Sequence, residues 1–98
     1  MGFLDRFKRK GTPHSGGKGT TREDAIVISA PNEILGVAAE YEYVARECGR
    51  RGVDWDLARQ GLIPGAGGGR HYDVLTIRLK NGETREYWFD ITQFFGRM

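Results

Sequence analysis

The pattern of apolar and polar positions predicts one helix and four strands after residue 22. The first apolar run, at residues 26–28, is β-branched and too short for a helix, so it predicts a buried strand within Glu23–Ala30. A helix is predicted to follow this strand. Asn32 is a suitable N-cap residue, and Gly49 suits the position after the last turn.

Apolar side chains recur within the predicted helix at spacings of three and four residues, which places them on one face. We expect this face to pack on the core; it comprises Ile34, Val37, Tyr41, Val44 and Cys48. We expect the opposite face to be charged and to contact solvent; it comprises Glu33, Glu40, Arg46 and Glu47.

Three further strands are predicted from alternating patterns, at residues 53–63, 72–80 and 83–91. In the first of them Val53, Trp55 and Leu57 alternate with aspartates, as in a half-buried strand. The last two are separated by Asn-Gly, a frequent hairpin turn.

The hydrophobic pattern also selects the register of this hairpin, because a slip of one residue sends every side chain to the other face. A two-residue loop would place Glu86 among aliphatic side chains. A three-residue loop, Lys80–Gly82, pairs Leu75 with Tyr87 and collects the apolar side chains on one face. It also places the glycine where a bulge requires a left-handed residue. We therefore predict the three-residue loop.

These elements predict an α+β fold of two layers, in which one long helix packs on an antiparallel sheet in the order β-α-β-β-β. After the last strand, Asp90 could cap a short turn that brings Phe94 and Phe95 against the edge of the core.

The net charge of +2 divides unequally along the chain, with +5 on residues 1–22 and −3 on residues 23–98. Residues 11–22 are rich in glycine and lack periodicity, which is typical of a linker. We predict a basic flexible tail and Gly-rich linker at residues 1–22 and a single α+β domain at residues 23–98. Nucleic acid is an unlikely partner, because a domain that binds it carries its positive charge on the folded surface.

The tail begins with a short apolar stripe beside basic side chains, a pattern typical of a helix that lies on an anionic membrane surface. The stripe and its basic neighbours are Phe3, Leu4, Phe7, Lys8, Arg9 and Lys10. A chain end kept in solution by its charge is the alternative interpretation. A single unpaired cysteine is typical of a reducing compartment, so we expect a cytoplasmic protein, with the tail as a weak contact to the inner membrane face.

The sequence contains few residues that could form a disulfide, a metal site or a catalytic set. One cysteine excludes an internal disulfide and any zinc site that needs two cysteines. We predict no cofactor, no metal site and no catalytic set of residues.

Two surfaces of the predicted sheet could bind something. Tyr72, Val74 and Trp88 would form an aromatic face, which favours a small non-enzymatic module that binds a protein partner or a second copy of itself. Coverage of Trp88 by the linker or the C-terminus is the structural alternative.

The other surface is a polar cluster of Arg70, His71 and Asp73 beside the Gly65–Gly69 loop. Exposed loop amides and a guanidinium can bind an oxyanion. The alternative function is therefore a domain that binds a small ligand or oxyanion, or an enzyme built on this cluster.

Overall fold

The computed structural model describes residues 14–65 and 69–97 of the chain. Within these residues it contains one helix and five strands. In chain order they are β1 (His14–Gly16), β2 (Ile26–Ile28), α1 (Glu33–Cys48), β3 (Trp55–Ile63), β4 (Tyr72–Leu79) and β5 (Thr84–Asp90).

The five strands form one mixed sheet in the order β1-β2-β5-β4-β3, with α1 packed on one face. The predicted α+β class is confirmed, and from β2 onward the elements follow the predicted order along the chain. The expectation of a purely antiparallel sheet is wrong, because β2 runs parallel to β5 and pairs Ile26 with Phe89. The helix carries the chain back across the sheet after β2, so the meander β3-β4-β5 ends with a strand that runs in the direction of β2.

Strand β1 lies within residues 11–22, the segment that we predicted to be a linker. It pairs antiparallel with β2, and the His14 ring nitrogen Nε2 lies 2.8 Å from the Ala39 carbonyl oxygen of α1. This pairing uses backbone groups, so a short polar segment can join the sheet without an apolar pattern.

The turn between β1 and β2 is held by the carboxylate of Asp24. It accepts hydrogen bonds from the Lys18 amide at 2.8 Å and the Thr20 hydroxyl at 3.0 Å. The bond from the Lys18 amide is the largest cause of the lowered pKa of Asp24, and the Thr20 hydroxyl adds to it against a smaller opposing effect of burial. The turn that joins β1 to the sheet is therefore fixed by side-chain as well as backbone bonds.

The hairpin has the predicted three-residue register. Leu75 pairs with Tyr87, and the Leu79 amide donates to the Glu83 carbonyl at 2.7 Å. Gly82 has a φ of 93°, the left-handed conformation that the bulge requires. The apolar side of this hairpin is buried under α1.

Helix α1 has the predicted caps but a different buried face. The Asn32 side chain accepts a hydrogen bond from the Leu35 amide, as an N-cap does. The buried residues of the helix are Gly36, Ala39, Glu40 and Val44, whereas Ile34 is 80 % exposed. The helix is therefore rotated by about one residue from the predicted stripe.

Close packing at Gly36 accounts for this rotation. A Cβ atom built there would lie 2.5 Å from the ring of Phe94, which follows β5 and is buried. The missing side chain lets the C-terminal turn pack directly on the helix backbone. Asp90 accepts a hydrogen bond from the Thr92 amide at the start of this turn, as predicted.

Strand β3 begins at Trp55, later than predicted, and Val53 is exposed in the preceding turn. A register shift between Leu57 and Arg59 interrupts its pairing with β4. The shift reverses which side chains face α1, so Gln60 faces the helix side after the bulge. β3 is an edge strand of the sheet.

Candidate functional site

The face of the sheet opposite α1 carries three adjacent apolar side chains, Tyr72, Val74 and Trp88, which we call the open face. Each is partly exposed. Val74 lies directly across from Trp88 in the β4–β5 register, and the rings of Tyr72 and Trp88 meet edge to face with centroids 6.0 Å apart. The structure therefore brings the three predicted residues together.

Arg22 lies over the open face. Its guanidinium carbon is 5.6 Å from the centroid of the Tyr72 ring and 5.9 Å from that of Trp88, which is cation–π geometry. The Trp88 amide donates to the Gly19 carbonyl at 2.7 Å and so holds the Arg22 loop on β5. The predicted linker thus covers part of Trp88 and adds a cation to the surface.

Arg70 is the second cation at this surface. Its Nη1 donates to Asp90 Oδ2 at 2.7 Å, while two thirds of its side chain (67 %) is exposed. Burial would raise the pKa of Asp90, but hydrogen bonds from Thr92 and from Arg70 outweigh burial, so the pKa lies below its ordinary value. The Asp90 carboxylate therefore stays ionised and fixes one side of the guanidinium.

Two adjacent cavities of about 420 Å³ and 330 Å³ lie on this side of the sheet. Both are lined by Arg22, Arg70 and Tyr72. Within residues 14–65 and 69–97, Arg22 forms no salt bridge, and Arg70 forms one, with Asp90. Two guanidinium groups therefore converge on this surface, where the larger cavity is also lined by the carboxylates of Glu23 and Asp90.

The residues of the predicted polar cluster have separate partners. The His71 ring stacks on Phe95 with centroids 4.0 Å apart, and its Nδ1 accepts from the Gly65 amide at 3.0 Å. Asp73 is buried on the helix side, away from Arg70. Residues 66–68 of the glycine loop lie outside the described residues.

Asp73 belongs instead to a buried acidic pair with Glu40. The Gln60 side-chain amide donates to both carboxylate oxygens of Asp73, at 3.2 and 3.0 Å. Glu40 is fully buried, and neither of its carboxyl oxygens accepts a hydrogen bond from a donor group in the part of the chain that the structure describes. Burial, followed by the neighbouring Asp73, raises the pKa of Glu40 to about 10, so this carboxyl is protonated at neutral pH.

Sequence reasoning placed Glu40 on the solvent face of the helix, and that assignment is wrong. The residue that indicated the buried face of the helix was Gly36. A glycine inside a helix is costly and usually marks a close approach of backbones, so it should have indicated the buried face. No comparable signal pointed to Arg22, because its position depends on the pairing of β1.

The remaining observations concern the tail, metal binding and membrane spans. The tail residues Phe3, Leu4, Phe7, Lys8, Arg9 and Lys10 are outside the described residues. Over residues 14–65 and 69–97, no group of three or more His, Cys, Asp or Glu side chains is arranged to hold a metal ion. The described helix is neither long nor apolar enough to cross a membrane.

Comparison of the chain with protein-family models, with curated proteins and with solved structures gives no match.

Proposed function

We propose that the protein is a non-enzymatic interaction module whose open face, with Arg22 and Arg70, binds an acidic segment of a protein partner. The observation that carries this proposal is the position of the Arg22 guanidinium over Tyr72 and Trp88 without a carboxylate partner in the described residues.

The composition of this surface supports a protein partner. Tryptophan, tyrosine and arginine are the residue types that dominate the binding energy of protein interfaces. Here the Arg22 guanidinium lies over the rings of Tyr72 and Trp88, and these two rings meet edge to face. The aromatic rings remove water from one side of the guanidinium, which strengthens its attraction to an incoming carboxylate.

The charge of the surface supports an acidic partner. Arg70 is held by Asp90 through one nitrogen, and most of its side chain is exposed, so its other donors can reach a second carboxylate. Two guanidinium groups beside an aromatic patch fit a segment in which glutamate or aspartate neighbours an apolar residue.

The oxyanion site at Arg70 and His71 is the alternative function. It shares Arg70 with the proposed surface, but His71 Nδ1 already accepts from Gly65 and its ring is stacked on Phe95. The geometry therefore favours the larger aromatic surface, and inorganic phosphate serves as the probe for the alternative.

The proposal is tested by nuclear magnetic resonance of the labelled full chain with a glutamate hexapeptide and its glutamine counterpart. We expect the glutamate peptide alone to shift the Trp88 indole signal, with binding that weakens as salt is added. Arg22→Gln should reduce this binding, whereas Arg59→Gln on β3 should leave it unchanged. Equal shifts with the glutamine peptide, or an unaltered titration of Arg22→Gln, would contradict the proposal.

Sedimentation of the full chain distinguishes a second copy from a different partner. A dimer that becomes monomeric in Trp88→Ala would assign the open face to self-association. Shifts with phosphate at Arg70 and Gly65 but not at Trp88 would support the oxyanion alternative.

The basic tail adds a second contact in this proposal. Phe3, Leu4 and Phe7 beside Lys8, Arg9 and Lys10 are suited to weak binding at an anionic membrane surface, and such contact would place the protein at the inner face of the membrane.

A further inference from the structure

A third cavity lies beside the first half of β5, on the other side of the Lys18–Asp24 turn from the open face. Its volume is about 630 Å³, within the range of small-molecule sites. It is lined by Lys18, Thr20, Tyr43, Glu47, Arg85, Glu86 and Tyr87.

This cavity exists because β2 is shorter than β5. The two strands pair only at Ile26 with Phe89 and at Val27 with Asp90. No described strand therefore lies beside residues 84–87 on this side of β5. The turn between β1 and β2 and the second half of α1 close the space instead.

The wall formed by β5 offers a backbone donor. Successive residues of a strand alternate between pairing with one neighbour and pointing to the other side. The Trp88 amide points away from β4, since it donates to Gly19. Glu86, two residues earlier, therefore directs its amide to the same side, where the cavity lies.

The lining carries two cations, Lys18 and Arg85, and two carboxylates, Glu47 and Glu86. Lys18 and Arg85 form no salt bridge within residues 14–65 and 69–97. The Glu86 carboxylate accepts a hydrogen bond from the Trp88 indole at 3.3 Å, which holds it toward the open face, although it keeps its negative charge. Glu47 is the remaining acidic side chain of the lining, and its charge disfavours a dianion more than a monoanion.

The aromatic side chains supply an apolar wall. The rings of Tyr43 and Tyr87 meet edge to face with centroids 6.1 Å apart, and the Tyr87 hydroxyl lies 3.4 Å from Cys48 Sγ. Arg85 Nη1 also lies 3.9 Å from this sulfur, which orients the guanidinium at the cavity rim. A flat apolar ligand body can pack against these rings.

The turn that carries Lys18 is fixed before any ligand binds. Besides the two bonds to the Asp24 side chain, the Gly19 amide donates to the Asp24 carbonyl at 2.6 Å and the Gly17 amide donates to the Ala25 carbonyl at 3.2 Å. Such preorganisation reduces the entropy lost on binding.

We infer that this cavity binds a small monocarboxylate with an aromatic or branched apolar body, its carboxylate between Lys18 and Arg85 and its body on Tyr43 and Tyr87. This site is separate from the open face, since different side chains form its walls.

The test titrates the labelled full chain with 3-phenylpropionate, with the uncharged 3-phenylpropan-1-ol, and with inorganic phosphate. We expect 3-phenylpropionate alone to shift the amides of Thr20, Glu86 and Tyr87. Arg85→Gln should weaken binding about tenfold, the effect of losing one charge-assisted hydrogen bond. Lys18→Gln should act in the same direction, and Arg59→Gln, on the far edge strand, should have no effect.

Any one of four results would overturn the inference. Silence of these amides up to millimolar 3-phenylpropionate would exclude the site. Equal binding of the alcohol, or unchanged affinity in both Arg85→Gln and Lys18→Gln, would exclude carboxylate recognition. Equal binding of phosphate would exclude a role for the aromatic wall.

Discussion

The buried carboxyl of Glu40 makes the stability of this protein depend on pH in a direction opposite to that of most carboxylates. The pKa of Glu40 is about 10 in the folded protein, against an ordinary value of 4.5. The unfolded chain therefore releases this proton near pH 4.5, while the folded chain retains it. The stability due to Glu40 is fully present below pH 4.5 and falls as pH rises toward 10.

The size of this effect follows from the difference between the two pKa values. One pH unit within this window corresponds to about 1.4 kcal/mol for a single group. Between pH 5 and pH 8 the free energy of unfolding should therefore fall by at most about 4 kcal/mol because of Glu40. That is a large part of the roughly 5–15 kcal/mol that stabilises a domain.

The perturbation that tests this is Glu40→Gln, since an amide resembles the protonated carboxyl and cannot ionise. We expect the variant and the wild type to have similar stability at pH 5. At pH 8 the variant should be more stable, by up to about 4 kcal/mol. Urea denaturation followed by tryptophan fluorescence from pH 5 to pH 9 gives both curves.

The matched control is Glu42→Gln on the same helix, where the glutamate is exposed and paired with Arg46. This change should leave the pH dependence as it is in the wild type. Parallel pH curves for Glu40→Gln and the wild type, or a variant that is less stable at pH 8, would refute the reasoning about the buried pair.

Three further predictions concern the helix, the first strand and the tail. Gly36→Ala should lower the melting temperature. Overpacking costs about 1–3 kcal/mol, and three Phe94 ring atoms at 2.5–2.6 Å from the new Cβ place this site in the upper part of that range, above the roughly 1 kcal/mol gained in helix propensity. An unchanged or higher melting temperature would show that Phe94 can move aside. A chain that begins at His14 should keep its stability. One that begins at Glu23 should lose a few kcal/mol, because it lacks the backbone hydrogen bonds of β1, each worth about 1 kcal/mol. Equal denaturation midpoints for the two chains would contradict the pairing of β1. Full-length protein should float with anionic lipid vesicles and the chain that begins at His14 should not; flotation of both, or of neither, would remove the membrane role of the tail.

The sequence predicts best those parts of the fold that local patterns determine. The register of the hairpin follows from the apolar alternation around Leu75 and Tyr87, and the start of α1 follows from Asn32. Both depend on residues close in the chain, where side-chain periodicity and turn chemistry act directly.

The parts that the sequence did not predict depend on distant pairings. The rotation of α1 is set by Phe94 against Gly36, and the position of Arg22 is set by a backbone bond from Trp88 to Gly19. The aromatic residues of the candidate site were found from alternation alone, whereas the cation that lies over them was assigned to a linker. Backbone pairing is insensitive to side-chain type, so no local pattern reports it.

The pairing of Ile26 with Phe89 has a consequence for how this chain is made. Strand β2, at residues 26–28, joins the central part of the sheet only by pairing with β5, at residues 84–90, which comes much later in the chain. During synthesis β2 therefore lacks its neighbour until β5 has left the ribosome, while the local hairpin of β4 and β5 can form as soon as both strands have emerged. Nascent chains that stop before Thr84 should therefore expose the apolar side of β2 and α1 to chaperones, and release of this surface should coincide with emergence of the last strand.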